Sequence, residues 1–397
     1  MLWCQAIRIF IKNLKIRIES NLFELKIGGA LIVKKYNYTF GTLSAFGIIF
    51  VVLGHVGAET LTIDNWFTYY SFHMPLFIFI SGYFFDVSNI KNIYGYISKK
   101  IKTLILPFYF WNLIYLLIQT ILEYISGGID SIGNTISLYN LIVWPWVNEQ
   151  PWGFNVASWF LIALFIVEVL NIVIEWVLDK LRLYNEFLKL FLYLVICIIG
   201  ILCIQNGVSG GIKIICRSLY CLFFFQLGHW YRTIGEKKDT LNSTYYFLIV
   251  FAVQFLFKCK YGSLDVGVYG GVDFNHISVL IVVPIIGIMF WLRVAKILTP
   301  LLKEVKWFVF LGKNTMSIML HHLFAIFIIQ MFTCILHCNT SLFSSFDVNA
   351  YIRDVYYVYV PYETMRLMYA IASITLVLLC VYINERIKKY IKKMKWR

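Results

Sequence analysis

Long apolar segments with few charged residues are the feature that most constrains the fold of this chain. Ten of them approach the length of about 20 residues that an α-helix needs to cross the hydrocarbon core of a bilayer. They cover residues 39–56, 67–85, 104–124, 156–178, 188–205, 213–230, 243–258, 276–292, 315–335 and 367–384. Apolar residues run on without alternating with polar ones, which favours helices over an outer-membrane barrel. The sequence therefore predicts an all-α polytopic membrane protein with about ten transmembrane helices.

The composition agrees with this prediction. Hydrophobic residues make up 60% of the chain and charged residues 14%, whereas about a quarter of the residues in soluble domains are charged. The chain also contains 34 Phe, 27 Tyr and 12 Trp, and aromatic residues are enriched where membrane proteins meet the bilayer interface.

The net charge of +14 would also suit a nucleic-acid-binding protein, so the position of the charges matters. Most Lys and Arg residues fall in alternate connections between the apolar segments, starting with the N-terminal segment. Cytoplasmic connections of membrane proteins carry such an excess. We interpret the positive charge as a topology signal that places both termini in the cytoplasm, including the basic tail of residues 385–397. We expect no binding to nucleic acid.

Residues 1–35 are basic and amphipathic, and they carry too many charges to form a transmembrane segment or the core of a signal peptide. One interpretation is a helix that lies on the inner leaflet. The other is that translation starts near Val33, because the residues that follow it resemble a natural beginning. The membrane domain is predicted to cover residues 36–390.

Nine cysteines lie mostly within or beside the apolar segments, where small apolar side chains are common. Cys334 and Cys338 have a spacing found among metal ligands, and His337 lies beside Cys338. Because this single pair is a weak signal, we expect no metal site.

Two histidines interrupt the first two apolar segments. His55 ends the run FGIIFVVLGHVG (46–57), and His73 lies in FHMPLFIFISGYFF (72–85). With the N-terminus inside, both rings should lie at similar depth in the outer half of the membrane, and the short connection makes the segments neighbours. Burial disfavours a charged imidazolium, so at least one ring should be neutral and able to act as a general base. The alternative is that a histidine only bonds to a backbone carbonyl and locks two helices together.

Other polar residues lie near the apolar segments. LGKNTMSIMLHHLF (311–324) contains Lys313, His321 and His322, and adjacent helix positions point about 100° apart, so one histidine at most can face a given cavity. Arg217 lies inside the sixth segment, where a guanidinium either reaches the outer interface or faces a polar cavity. Trp152 and Trp159 belong to a tryptophan-rich outer connection, whose indoles either stack on sugars or form an interfacial belt.

Five motifs, taken in this order, resemble the acyltransferase-3 family. They are FGIIFVVLGHVG, FHMPLFIFISGYFF, ASWFLIALF (157–165), LFFFQLGHWYR (222–232) and LGKNTMSIMLHHLF. The family consists of ten-span membrane enzymes that acylate sugars and other hydroxyl acceptors, and the nearest type is the bacterial fucose 4-O-acetylase. The resemblance covers about residues 36–390.

The resemblance implies an O-acetyltransferase in a bacterial inner or plasma membrane. Acetyl-CoA would be the acyl donor, and the acceptor would be a sugar hydroxyl of a surface polysaccharide or a lipid-linked glycan. His55 would act as the catalytic base with support from His73, and Trp152, Trp159 and His322 would contact the acceptor. Basic inner connections such as residues 91–103 would hold the donor's phosphates.

One position departs from the family pattern. The family has a basic residue eleven positions before the catalytic histidine, and this chain has Ser44 there. Either another cation, Arg217 or Lys313, takes over at the donor site, or activity is impaired. A transporter or flippase of glycan intermediates is the alternative from another functional class, since intramembrane histidines also suit proton relays.

Overall fold

The computed structural model describes residues 24–27, 30–33, 36–58, 66–126, 138–147, 153–262, 264, 266, 276–353 and 358–394. The chain divides into two compact units, Met1–Tyr38 and Thr39–Arg397. The second unit contains the membrane domain and all of the candidate site residues.

The first unit contains a short antiparallel hairpin. Its strands are β1 (Glu24–Ile27) and β2 (Ala30–Val33), with Glu24 opposite Val33 and Ile27 opposite Ala30. Two glycines separate the strands in the sequence, and Gly-Gly is favoured in two-residue hairpin connections. The interpretation of this part of the N-terminal segment as an interfacial helix is therefore wrong for the eight strand residues.

The second unit is built from α-helices, as the sequence predicts. Helices α1–α8 are Tyr38–His55, Tyr69–Tyr83, Ile93–Lys100, Leu106–Ser126, Leu138–Ile142, Trp144–Val147, Trp159–Lys180 and Glu186–Gln205. Helices α9–α16 are Gly210–Trp230, Glu236–Lys238, Ser243–Tyr261, Ile277–Leu302, Lys306–Lys313, Thr315–Asn339, Val348–Arg353 and Arg366–Met394. Single-turn segments join several of them: Val87–Asn92, Ile101–Ile105, Gly153–Ser158, Tyr231–Gly235 and Glu363–Met365.

Each of the ten predicted spans coincides with a helix, and 8 helices in the described ranges are long and apolar enough to cross a membrane. Two predicted spans fall short of that standard. Helix α2 has 15 residues. Helix α11 begins with Ser243 and Thr244, and further polar or charged residues, Gln254, Lys258 and Lys260, also lower its hydropathy. The multi-pass prediction is confirmed, whereas the count of ten and the side on which the termini lie stay predictions.

Asparagine side chains begin several of these helices. Asn92, Asn185 and Asn242 each accept a hydrogen bond from the backbone N–H groups of the first turn, at α3, α8 and α11. A short side-chain acceptor satisfies donors that have no partner within the helix, and in a membrane protein such orphan donors are costly. Local sequence therefore sets where these helices start.

Helix α2, which carries His73, is held by close backbone contact with α9. A Cβ atom at Gly82 would lie 1.8 Å from Phe225 O, and one at Gly228 would lie 2.0 Å from Phe79 O. Small residues let transmembrane helices approach until their backbones touch. Nearer its start α2 meets α12, where a Cβ atom at Gly287 would lie 2.6 Å from Phe72 Cβ. The two contacts fix α2 between α9 and α12.

Helix α1 packs against α2 and α12 through aromatic rings. Phe50 stacks on Tyr69 with ring centroids 5.3 Å apart and lies 4.5 Å from the Trp291 ring. Nearer the start of α1, the Thr299 hydroxyl of α12 donates to the Thr42 hydroxyl at 3.2 Å. Helix α14 is tied to α16 by the Tyr369 hydroxyl, which donates to Thr333 at 3.0 Å.

Two buried charge clusters connect other helices. In the first, Lys189 of α8 lies 2.8 Å from the Glu175 carboxylate of α7 and 3.5 Å from Glu186. In the second, Asp239 pairs with Arg293 and lies 2.7 Å from Lys296 Nζ. Opposite charges that are buried together offset part of the cost of removing each from water.

Candidate active site

Three histidines from three separate helices converge in the second unit. His55 is the last residue of α1, His73 lies in the first half of α2, and His322 lies two turns into α14. The His55 and His322 rings have centroids 5.1 Å apart and are tilted by 46°. His73 lies close enough to His55 for a charge on either ring to act on the other. The structure thus brings together residues that are far apart in the sequence.

Backbone carbonyls fix the tautomer of two of these rings. His73 Nδ1 donates to Tyr69 O at 2.5 Å, one turn earlier in α2. His322 Nδ1 donates to Ile318 O at 2.9 Å and to Met319 O at 3.0 Å. A carbonyl oxygen can only accept, so the proton resides on Nδ1 in each ring and Nε2 carries a lone pair.

His322 Nε2 is a buried polar atom for which the described part of the chain offers no hydrogen-bond partner. The side chain is fully enclosed, with 0% of its surface exposed, whereas His55 is partly exposed. A buried lone pair without a donor costs free energy, which a hydroxyl-bearing ligand would recover by donating to it. An alcohol bound beside His322 and His55 could therefore donate to this nitrogen.

The last turn of α1 is anchored by two residues that the sequence analysis missed. The Tyr70 hydroxyl donates to Gly54 O at 2.9 Å, and Tyr70 also contacts the His73 ring edge-to-face at 5.5 Å. Arg366 Nη1 donates to Gly57 O at 2.7 Å and also pairs with Glu363. A helix ends with carbonyls that lack partners within the helix, and an arginine is a strong donor for them. An arginine at the start of the last span was the signal available in the sequence.

His321 does not belong to this cluster, although it is adjacent to His322. Its Nδ1 lies 2.6 Å from the Tyr115 hydroxyl, and its ring contacts Trp111 at 4.3 Å between centroids. Both partners belong to α4. The 100° step between neighbouring helix positions therefore separates the two rings as expected.

Arg217 and Trp159 line one small cavity together with Pro145. Arg217 is buried in α9, with 4% of its surface exposed, so its guanidinium does not reach the outer interface. No histidine is found among the described residues that line this cavity. Trp152 lies outside the described residues.

The two remaining candidates for donor binding differ in exposure. The Ser44 hydroxyl donates to Phe40 O at 2.7 Å, one turn earlier in α1. Lys313 is exposed at the end of α13, and Asn314 separates α13 from α14 while its side chain donates to Phe310 O at 2.8 Å. Lys313 therefore lies at the surface, and the Ser44 hydroxyl bonds to its own helix.

No set of His, Cys, Asp and Glu side chains is arranged to hold a metal ion within the ranges that the structure describes. The three imidazoles of the cluster can themselves take part in proton transfer. A ring with a bare nitrogen beside a hydroxyl can take up that proton as the oxygen attacks an electrophile.

Comparison of the sequence with models of known protein families identifies the class of protein to which this chain belongs. A family model described as an acyltransferase domain, that of acyltransferase-3, matches residues 42–385. The chain belongs to the acyltransferase-3 family. The acyltransferase-3 match runs from α1 into α16 and includes all three converging histidines, and it confirms the resemblance seen in the motifs. No curated protein and no solved structure matches the chain significantly.

Family membership and the apolar helices make this chain a multi-pass membrane acyltransferase. The acyltransferase-3 match also favours the enzyme prediction over the transporter or flippase alternative. Which residue serves in which role stays a prediction.

Proposed function

We propose that this protein transfers an acetyl group from acetyl-CoA to a sugar hydroxyl of a surface polysaccharide or a lipid-linked glycan. The observation that supports this most directly is the convergence of His55, His73 and His322, two of which present an unprotonated Nε2. Such a cluster accepts protons and hydrogen bonds from hydroxyl groups. A sugar supplies several hydroxyls at once, so it can engage more than one ring.

In the proposed reaction His55 acts as the general base. It takes the proton of the acceptor hydroxyl while the oxygen forms a bond to the thioester carbonyl carbon. The carbon–sulfur bond then breaks, and the proton passes from His55 to the departing CoA sulfur. The products are the acetyl ester and free CoA, and His55 returns to its neutral state.

His322 binds and orients the acceptor in this proposal. Its Nε2 can only accept, so it is suited to a second hydroxyl of the sugar and cannot stabilise a developing oxyanion. The same limit applies to His73, whose Nδ1 proton is engaged by Tyr69 O. This tautomer makes His73 unsuitable as an oxyanion donor and leaves it an orienting role beside His55.

The donor's phosphates would bind at the basic surface of α3 and the turn that follows it. Lys91 precedes α3, Lys99 lies in its last turn and Lys102 follows it, and all three are exposed. Lys100 pairs with Glu168. Three exposed ammonium groups within a short stretch attract a polyphosphate ligand. With the topology predicted from the charges, this surface faces the cytoplasm, where acyl-CoA is made.

Transfer of radiolabelled acetyl groups from acetyl-CoA into membrane glycan tests the proposal. We expect His55→Ala to lower incorporation by about 10²–10⁴-fold, the contribution typical of a general base. His276→Ala is the matched control, because His276 is an exposed histidine at the start of α12. Equal incorporation by wild type and His55→Ala, at equal amounts of folded protein, would contradict the proposed role.

A further inference from the structure

Helices α8 and α9 form a tight antiparallel hairpin. Residues 206–209 connect them, and Gly207 and Gly210 adopt the positive φ values of 79° and 62° that a sharp turn requires. The backbones touch at Gly200, where a Cβ atom would lie 2.5 Å from Cys216 O and 2.9 Å from Leu219 Cβ. This approach is closer than side chains normally permit between helices.

Two pairs of thiols face each other across this contact. Cys203, about one turn beyond Gly200, has its thiol within hydrogen-bonding reach of the Cys216 thiol. About one turn before Gly200, Cys197 interacts with Cys221 across the same interface. The pairs differ in access at one member only. Cys203 is partly exposed near the connecting turn, whereas Cys216, Cys197 and Cys221 have 4%, 0% and 3% of their surface exposed.

The close helix contact at Gly200 favours a covalent bond between Cys203 and Cys216. A disulfide requires Cβ atoms about 3.5–4.5 Å apart, a spacing that ordinary helix packing does not provide but that contact at a glycine permits. A comparison within the same chain shows the difference. Cys334 and Cys338 also bring their thiols into contact, but they are four residues apart on α14, where Cβ atoms are separated by about 5–6 Å.

We propose that Cys203 and Cys216 are a site of disulfide formation that links α8 to α9 when the membrane protein meets an oxidising disulfide. The predicted topology places this end of the hairpin outside the cytoplasm, where thiol oxidation is maintained. The inference depends on the geometry of the hairpin and not on the proposed acyl transfer.

The chemistry is thiol–disulfide exchange. The Cys203 thiolate attacks one sulfur of the oxidising disulfide, which forms a mixed disulfide and releases one thiolate. Cys216 then attacks the Cys203 sulfur, which forms the internal disulfide and releases the second thiolate. The two protons from Cys203 and Cys216 go to the two released thiolates. One external disulfide is therefore reduced to two thiols as the two protein thiols are oxidised.

The link would stabilise the helix that holds α2. Helix α9 contacts α2 at Gly82 and Gly228, and α2 carries His73. A covalent connection between α8 and α9 restricts separation of the hairpin in the unfolded state and in local openings. The oxidised protein should therefore unfold at a higher temperature than the reduced protein.

The test uses the full chain in detergent, treated with oxidised glutathione, alkylated and then digested with trypsin. Cleavage after Lys189, Lys213 and Arg217 leaves Cys216 on a peptide separate from Cys203, so the disulfide is detected as the linked peptides 190–213 and 214–217. We expect this linked mass to disappear on reduction. Cys197, which lies on the same peptide as Cys203, is distinguished by substitution.

We expect the linked mass to persist in Cys197→Ser and in Cys334→Ser and to be lost in Cys203→Ser. Two outcomes would overturn the proposal. One is that Cys203 and Cys216 of the wild type remain fully alkylated after oxidation. The other is that the link survives in Cys203→Ser and vanishes in Cys197→Ser, which would assign it to Cys197.

Discussion

The histidine cluster and the Lys189 cluster are both buried polar groups at helix junctions, yet they are held in opposite ways. Lys189 meets the Glu175 and Glu186 carboxylates at 2.8 and 3.5 Å, so its position depends on charge. His73 and His322 are instead oriented by carbonyls of their own helices. Charges that are paired resist a change of protonation, whereas a neutral ring fixed by a carbonyl keeps one nitrogen open. The first arrangement serves stability, and the second leaves a site for chemistry.

The largest expected effect on stability comes from breaking the charge cluster. Lys189→Ala leaves the buried Glu175 carboxylate without its cation, and removing one partner of a buried pair costs about 3–5 kcal/mol. The free energy or midpoint temperature of unfolding in detergent measures this loss. Lys303→Ala is the control, because Lys303 is exposed and lies 3.9 Å from an exposed Glu304, where pairs contribute about 0–1 kcal/mol. Comparable losses for both variants would show that the Lys189 cluster contributes no more to stability than an exposed ion pair.

The neighbouring His321 and His322 of α14 test the other half of this comparison, the histidine cluster as a site for chemistry. At equal amounts of folded protein, His322→Ala should lower acetyl transfer by about 10²-fold, because the acceptor loses the group that orients it. His321→Ala should keep most of the transfer, since His321 contacts Tyr115 and Trp111 instead. The ratio of initial rates at saturating donor separates the two variants. If His321→Ala were the more damaging, the site would lie on the α4 side of α14.

The close contact between α2 and α9 tests whether the histidines depend on helix packing. In Gly228→Ala the new Cβ atom would overlap Phe79 O, and overpacking of this kind costs about 1–3 kcal/mol. Because α2 must shift away, we expect a fall in both unfolding temperature and transfer. Ser81→Ala provides the control, because Ser81 lies on α2, the partner helix, and alanine is smaller than the native serine. Unchanged unfolding in Gly228→Ala would show that the two helices are not packed as described.

Ser44→Arg is expected to have the smallest effect. If an exposed cation already binds the donor, an added arginine changes the KM for acetyl-CoA by less than about tenfold, the factor that corresponds to 1.4 kcal/mol. Ser44→Gln has a similar length without the charge and controls for steric effects. A larger fall in KM with arginine alone would indicate that the native chain is impaired at its donor site.

Hydropathy predicted most of the fold because the bilayer leaves little choice of secondary structure. The helical architecture and the multi-pass class followed from continuous apolar runs, and the family followed from short motifs around His55 and His73. The hairpin of β1 and β2 was missed, since charge and amphipathicity were given more weight than the Gly28-Gly29 pair.

The candidate site was less accessible to sequence reasoning. Proximity of His55 and His73 followed from a short connection, but the 5.1 Å approach of His322 to His55 depends on how α14 packs against α1. The carbonyl partners that fix each tautomer are visible only in three dimensions. Tyr70 and Arg366 were missed for a related reason. The arginine at the start of the last span is visible in the sequence, but its backbone partner, like that of Tyr70, is not.

The hydrogen bond from Arg366 to Gly57 joins positions that leave the ribosome more than three hundred residues apart. The turn that presents His55 therefore acquires its last anchor when almost all of the polypeptide has been synthesised and inserted. A nascent chain that stops short of the final span would carry its histidines without that restraint. Competence for chemistry would then arise late, at the close of biogenesis.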